Sequence, residues 1–298
     1  MRRKILLTLL GFALVATGFG QIKKQFTVED APSCDNIRLS LKANSGNCII
    51  KPSRETDILN VFSNQSEAAY SHNFRKEING KTCDVLLNLE EIHSDGISRT
   101  ISTRFFSKPE RASDNIWKMY LTELKPYDLE LNYGVGNAHI DLSGLAISKL
   151  RINTASADVV VGYFSTLQNQ VEMDTLNVKV EVGSLKVRDL NLSRTKNVIA
   201  DVGFGSMVLD FTHKPIVASK IKGSVGAGNL IILLPGEDIP VLVKIEDSWL
   251  CSIKIPSTLK KISSNTYANA AYSADARNSL VFDLEVSLGN IIFKEQPK

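Results

Sequence analysis

A short pattern recurs six times between residues 126 and 298. Each copy has an apolar residue, then Gly or Ser, a short spacer and an apolar strand-like segment. The first five copies are 20 to 27 residues apart, a period that fits one coil of a β-solenoid. A single coil cannot bury its apolar face alone, so stacked neighbours must share an interior. We assign the small residue to the coil corner, where the chain turns or another backbone approaches closely; these corners are Gly136, Ser156, Gly183, Gly203, Gly226 and Gly289.

Apolar and polar residues alternate within the repeats. Leu129, Leu131 and Tyr133 are separated by single polar residues, and the same alternation runs from Leu176 to Val182. A period of two places one face of a strand inward and the other outward. The sequence therefore predicts an all-β fold, a β-helix-like solenoid of single-strand repeats over residues 126–298 that ends in a capping segment.

Residues 21–125 are less regular but also rich in strand-like segments. Two examples are the alternating runs Ile37–Lys42 and Val85–Leu89. The segment Asn44–Cys48 resembles a divergent copy of the repeat. This N-terminal β-rich region is compatible either with a separate domain or with earlier coils of the same solenoid.

The first residues have the organisation of a secretory signal peptide. Arg2, Arg3 and Lys4 precede an uncharged, mostly apolar stretch of fifteen residues, from Ile5 to Phe19, and small residues follow. This stretch is shorter than the roughly 20 residues that span a bilayer. We predict a signal peptide over residues 1–20, cleavage near Gln21, and an exported product that is periplasmic, cell-surface or extracellular and has no transmembrane helix.

The net charge of +3 comes from the predicted signal peptide. The chain has 35 basic and 32 acidic residues, and removal of the three basic residues near the N-terminus leaves 32 of each. Nucleic-acid binding needs clustered Lys and Arg to neutralise phosphates, and a polybasic membrane anchor needs them too. We expect neither nucleic acid nor a polybasic anchor among the functions of this chain.

Four cysteines follow the predicted cleavage site, namely Cys34, Cys48, Cys83 and Cys251. Four thiols in an oxidising compartment allow three disulfide pairings, and the sequence does not choose among them. We interpret Cys48 and Cys251 as small core residues because each lies in an alternating apolar run. No C-x-x-C motif occurs, which disfavours a metal site and a thioredoxin-like redox site.

The repeats resemble a known bacterial family. The segment YDLELNYGVGNAHIDLSGLAISKLRINTASADVVV and the later segments VEVGSLKV, DVGFGSMVLDF and LEVSLGNIIF are similar to toast-rack domains. That group includes adhesin-like exported proteins and the domains of cell-wall-active antibiotic response proteins. The resemblance covers about residues 126–298 and implies a repetitive β-solenoid without catalytic residues. The chain departs from the response-regulating members because it has no membrane helices.

Motifs for catalysis or cofactor binding are missing or incomplete. The Gly-x-Gly pairs lack the third glycine of a dinucleotide loop, and no Gly-x-Ser-x-Gly elbow occurs. The histidines have no metal-ligand spacing; they are His72, His93, His139 and His213. We therefore expect no cofactor and no metal.

Aspartates and aromatic residues offer the remaining candidate sites. Some solenoid enzymes cleave polysaccharides with paired acids on one face, and five aspartates recur near strand ends: Asp141, Asp158, Asp189, Asp201 and Asp210. We favour the interpretation that they flank turns and bond local backbone. Exposed rings can also stack on sugars, but we favour a capping role for Trp249, Tyr267 and Tyr272.

These observations predict a non-catalytic, exported protein of the cell envelope or cell surface that is adhesin-like and binds an envelope protein or a glycan. A soluble envelope-stress accessory that binds a membrane sensor is the second hypothesis. A polysaccharide-active β-helix enzyme is the third. The sequence leaves the ligand and the oligomeric state open.

Overall fold

The computed structural model describes residues 22–65, 70–91 and 116–295. The predicted signal peptide and His93 lie outside the described residues. Regular structure in the described part is almost entirely strand, with one 3-10 helix at Leu190–Ser193. The strands are β1 (Lys23–Val28), β2 (Asn36–Ser53), β3 (Leu59–Ser63), β4 (Tyr70–Asn79), β5 (Thr82–Glu91), β6 (Ile116–Thr122), β7 (Pro126–Asp141), β8 (Ala146–Gly162), β9 (Met173–Val180), β10 (Ser184–Arg188), β11 (Thr195–Val202), β12 (Ser206–Asp210), β13 (Ser219–Val225), β14 (Asn229–Leu233), β15 (Val241–Asp247), β16 (Ser252–Lys254), β17 (Lys260–Ser263), β18 (Thr266–Ala268), β19 (Leu280–Val286) and β20 (Asn290–Lys294).

The coils stack in parallel and form two faces that meet at a corner. Face 1 consists of β5, the first halves of β2, β7 and β8, and then β9, β11, β13, β19 and β15. Face 2 consists of β6, the second halves of β2, β7 and β8, and then β10, β12, β14, β20 and β16. This arrangement confirms the predicted all-β solenoid.

The stack continues across residue 126. Strand β2 pairs with β7 in parallel register from Ile37 opposite Tyr127 to Ile50 opposite Ile140. Strands β2, β7 and β8 bend through the corner without interruption, whereas each later coil divides into two shorter strands. The described strands on the two sides of residue 126 therefore share one interior.

Alternating burial produces columns of apolar side chains inside the stack. One column crosses nine strands of face 1, and every member is at most 3% exposed. Burial of such a side chain stabilises a fold by about 1.5–3 kcal/mol. The alternation with a period of two in the sequence therefore identifies the side chains that form the core. The column consists of Val85, Leu39, Leu129, Leu150, Leu176, Val198, Ile221, Phe282 and Val243.

The order of the coils in space differs from their order in sequence near residue 240. Strands β19 and β20 pair with β13 and β14 on one side. On the other side they pair with β15 and β16, which precede them in sequence. The coil of residues 280–294 is therefore an interior coil, and the coil of residues 241–254 lies outside it.

Antiparallel strands close both ends of the stack. At one end β4 pairs with β5, and β3 pairs with β6 and β1. At the other end β18 pairs with β15 and β17. Charged residues lie on these outer strands, namely Arg75, Lys76 and Glu77 on β4 and Lys260 and Lys261 on β17. Charges on edge strands oppose end-to-end strand pairing.

One disulfide fastens the first coils. Cys34 and Cys83 are bonded with Cα atoms 5.6 Å apart, so the structure has one disulfide and two free thiols and not a full pairing of the four cysteines. Cys48 is a free thiol, 3% exposed, between Trp117 and Ala138 in the interior of face 2. Cys251 is also free; it is half-buried and packs against the core.

Candidate interaction surface

A column of small residues forms the corner between the two faces. A Cβ atom on the corner glycine of one coil would lie under 3.0 Å from a carbonyl oxygen of the preceding coil, closer than real Cβ atoms come. Only glycine lets the coils stack at this distance. The column glycines are Gly136, Gly183, Gly205, Gly228 and Gly289. The carbonyl oxygens that their Cβ atoms would clash with belong, in the same order, to Gly46, Ala157, Gly183, Gly205 and Gly228.

The structure places three of the sequence-predicted corners in this column, namely Gly136, Gly183 and Gly289. The other three lie one or two residues ahead of it. Ser156 precedes Ala157, while Gly203 and Gly226 precede Gly205 and Gly228 by two residues. The Gly-x-Gly spacing explains the offset, because both glycines of a pair fit a corner and the sequence pattern does not show which one touches the next coil.

Large apolar side chains protrude beside the glycine column. Val182, Phe204 and Leu288 each come directly before a column glycine and are 52%, 76% and 58% exposed. In the outermost coil, Leu250 and Trp249 occupy the same corner and are 50% and 90% exposed. We call these five residues the corner ridge. In the sequence repeat, Val182 and Leu288 are the apolar residues before a corner glycine, whereas Phe204 follows Gly203 and the other two residues lie outside the repeat. The pattern gave no sign that these side chains are exposed.

Backbone amides at three successive corners take part in stacking the coils. The amide of Phe204 donates to the carbonyl of Glu181 at 2.7 Å, and the amide of Leu288 donates to that of Gly226 at 2.8 Å. Ala227 continues this ladder, donating to Gly203 at 2.9 Å. The fold therefore uses the backbone of the ridge residues and leaves most of their side-chain surface in solvent.

The two flanks of the ridge differ in chemistry. On face 2 the next residue of each coil is uncharged and polar, in the aligned row Ser184, Ser206, Asn229, Asn290 and Ser252. Within this row the Nδ2 of Asn290 donates to the Oδ1 of Asn229 at 2.7 Å. On face 1 the aligned outward row is Lys179, Asp201, Ser224, Glu285 and Glu246. The face 1 flank is thus predominantly acidic along the last coils.

Two of the open grooves on the outer side of face 1 extend over its earlier coils. One, of about 340 Å³, is lined by residues of both charges, including Arg38, Asp128, Glu130, Lys149 and Arg151. The other, of about 280 Å³, lies closer to the corner, between Lys42, Lys179 and Glu181. Opposite charges alternate around these grooves, so neither has the single-signed lining that attracts a strongly charged ligand.

Two of the five candidate aspartates bond local backbone, and the other three contact side chains of a neighbouring coil. Asp141 and Asp210 accept from residues two positions ahead, Ser143 and Thr212, as turn-flanking aspartates do. Asp158 accepts from the Ser184 Oγ at 2.5 Å, and Asp201 accepts from the Ser224 Oγ at 2.7 Å. Asp189 lies 3.0 Å from the His213 Nδ1.

The stack also separates these aspartates. Asp201 is on face 1, whereas Asp141 and Asp210 are on face 2, three coils apart. Three strand spacings amount to about 14 Å. Carboxyl pairs of glycosidases are roughly 5–9.5 Å apart, so the coil register does not bring Asp141 and Asp210 to that distance.

The described histidines and aromatic residues are dispersed. The rings of His72 and Phe26 stack at 5.2 Å, and His139 lies 4.2 Å from the ring of Phe164. Within the described residues, no three His, Cys, Asp or Glu side chains form a group that could hold a metal ion. Tyr267 packs against the core from β18, and Tyr272 is half-buried. Trp249, in contrast, is 90% exposed.

In residues 22–65, 70–91 and 116–295 there is no helix long and apolar enough to cross a bilayer.

Solved structures with partial similarity include two bacterial proteins. A candidate cell adhesion protein from Clostridium sporogenes is 17% identical, with a TM-score of 0.45, and the match covers 93% of this chain and 100% of that one. A candidate adhesin from Bacteroides fragilis is 13% identical, with a TM-score of 0.32 and coverage of 92% and 97%. No curated protein matches the chain significantly.

A family profile gives the assignment. The profile described as the N-terminal domain of toast_rack, DUF2154, matches residues 17–174. The match confirms the resemblance read from the repeats, and it extends that resemblance to the N-terminal region, which the repeats had left out. With more than half of its residues matched, this chain belongs to the toast-rack family.

Proposed function

We propose that this chain is an exported, non-catalytic interaction protein of the bacterial cell envelope or surface, adhesin-like in its role. The observation that carries the proposal is the corner ridge. Folded proteins rarely expose aligned large apolar residues unless these meet a partner. Here five such residues mark the corners of four coils, and their side chains contribute little to the core.

Two further observations support a binding role. The five candidate aspartates contact either the local backbone or side chains of a neighbouring coil, which agrees with a structural use of these carboxylates. The N-terminal residues have the charge and length of an export signal. A protein delivered outside the cytoplasm with an exposed apolar ridge is suited to contact envelope components.

A capture assay tests this function. The chain from Gln21 to Lys298 would be incubated with isolated envelopes, and the bound fraction measured after sedimentation. The test variant replaces Val182, Phe204, Leu288 and Trp249 with Ser. The control variant replaces Leu124 and Leu167 with Ser; these residues are 62% and 53% exposed and lie away from the ridge.

We expect the parent chain and the control variant to sediment with envelopes and the ridge variant to stay in the supernatant. Equal sedimentation of all three proteins, or of none, would contradict the proposal. Thermal unfolding of each variant shows that the comparison is made between folded proteins.

A further inference from the structure

We propose that the corner ridge binds a neutral glycan chain that lies along the stacking direction of the coils. This inference rests on the proposed function and names the class of its ligand. It follows from the spacing of the ridge, the chemistry of its two flanks and its narrow shape.

The spacing of the ridge suits a linear polymer. The corners of Val182, Phe204, Ala227, Leu288 and Leu250 belong to five successive coils. Coils in a parallel stack are about 4.8 Å apart, so the ridge extends over about 19 Å. A repeating chain laid along it meets the same kind of surface at each coil.

The exposed rings supply an apolar surface for sugars. Phe204 is 76% exposed and Trp249 is 90% exposed, near opposite ends of the ridge. The faces of pyranose rings carry C–H groups that pack on aromatic rings, and the indole N–H adds a hydrogen-bond donor. Val182, Leu288 and Leu250 provide aliphatic contacts around them.

The flank on face 2 supplies hydrogen-bonding groups for sugar hydroxyls. Its row of Ser184, Ser206, Asn229, Asn290 and Ser252 is aligned coil by coil and contains no charged residue. Hydroxyl and amide side chains both donate and accept, which matches the dual character of sugar hydroxyls. A neutral chain can bond to this row without leaving a charge unpaired.

The flank on face 1 discriminates against anionic partners. Asp201, Glu285 and Glu246 lie along it, and Glu285 and Glu246 are directly opposite each other. These carboxylates repel anionic glycans, acidic lipid surfaces and nucleic acid. The charge next to the ridge therefore excludes anionic ligands, and the uncharged row on face 2 fits a neutral one.

The shape of the ridge disfavours a second copy of the chain as the partner. A stable protein interface buries roughly 800 Å² on each partner. The ridge is a strip one residue wide with five large apolar side chains, which is too little for such an interface. A thin polymer can use a strip of this width.

Binding of neutral hexasaccharides tests the inference. The emission of the exposed Trp249 would be followed during titration with chitohexaose, cellohexaose, xylohexaose or mannohexaose, because Trp117, the other tryptophan, is buried. Hexagalacturonate serves as the anionic probe, and vesicles of phosphatidylglycerol serve as the lipid probe. The variants are Phe204→Ser and, as the matched control, Leu124→Ser.

We expect at least one neutral hexasaccharide to bind and to shift the Trp249 emission to shorter wavelength, with little effect of salt. Phe204→Ser should weaken this binding about tenfold, and Leu124→Ser should leave it unchanged. Hexagalacturonate and the vesicles should produce no shift.

Three results would overturn the glycan assignment: no response to any neutral hexasaccharide, equal binding by both variants, or binding to vesicles or hexagalacturonate instead. If envelope capture still depends on the ridge while neutral hexasaccharides neither bind nor compete, the proposed function stands and only the ligand class fails. If capture does not depend on the ridge, both fail.

Discussion

Gly228 packs directly on the backbone of Gly205, so that a Cβ atom at position 228 would collide with the Gly205 carbonyl oxygen. Gly205 stands in the same relation to Gly183, and Gly289 to Gly228. The colliding atom is in each case part of the backbone, which cannot rotate away as a side chain does. The absence of a side chain at these positions therefore sets how closely successive coils stack.

We expect Gly228→Ala to destabilise the fold by about 2–4 kcal/mol, because the new methyl group must push two coils apart. Gly226→Ala is the matched control: its Cβ would lie 3.1 Å from the nearest atom, the Gly203 oxygen, so a smaller loss of about 1 kcal/mol or less is expected. Urea unfolding measures both. Equal losses would mean that the column does not run through Gly228.

Phe282→Ala should lower the free energy of unfolding by about 3–5 kcal/mol. Phe282 is fully buried, and its ring meets those of Phe211 and Phe293 edge to face at 5.5 and 5.7 Å. Phe204→Ala, at an exposed position, should change that free energy by less than about 0.5 kcal/mol. A small effect of Phe282→Ala would contradict the interior position of the coil of residues 280–294.

Replacement of both Cys34 and Cys83 with Ala should cost about 4 kcal/mol, since the bond closes a loop with a sequence separation of 49 residues. Chemical unfolding with and without a reductant provides the measurement. The reductant should lower the unfolding midpoint of the parent chain and leave that of the double variant unchanged. Cys251→Ala should keep the full response to the reductant, and loss of that response would point to another pairing.

Cys48 should resist alkylation in the folded protein. Burial raises the pKa of its thiol to about 12, so at pH 8 only about one molecule in ten thousand carries the reactive thiolate. Iodoacetamide should therefore label Cys48 only after unfolding. Because the folded pKa exceeds the unfolded value of about 8.5, the stability that the thiol contributes is present below that pH and is lost as pH rises towards 12. Labelling of Cys48 at pH 8 without denaturant would be inconsistent with its buried position.

The exported protein should begin near Gln21. Mass spectrometry of the chain recovered from a periplasmic or extracellular fraction should give an N-terminus within about two residues of this position. Substitution of Arg2, Arg3 and Lys4 with Glu should reduce export, because the positive n-region is part of the signal. A protein that retains Met1 in the exported fraction would refute the cleavage.

The regular parts of the fold follow from local alternation. The run from Leu176 to Val180 identifies a strand with one buried face, and a repeat of such strands leaves few alternatives to a solenoid. The bond between Cys34 and Cys83 was not predictable, because it depends on the register of β2 against β5. The interior position of the coil of residues 280–294 was not predictable either, because its alternation of apolar and polar residues fits an interior coil as well as an outermost one.

The sequence predicts the corners that carry the ridge but not which of their side chains are exposed. In Gly203-Phe204-Gly205 the pattern identifies a corner but not the glycine that touches the next coil. The exposure of Phe204 depends on that choice, because the residue before the contact glycine is the one that protrudes. The sequence favours a capping role for Trp249 over a platform for sugars, but a side chain that is 90% exposed does not cap the core.

The interior position of residues 280–294 has a consequence for synthesis. Ribosomes release the chain in sequence order, so β15 and β16 emerge before the strands on which they stack. Until residues 280–294 follow, this outer coil has no parallel neighbour, and the apolar surface of β13 and β14 lacks its cover. The coil of residues 280–294 must therefore insert between two segments that precede it in sequence, and chains that expose apolar surface at such a stage are prone to aggregate.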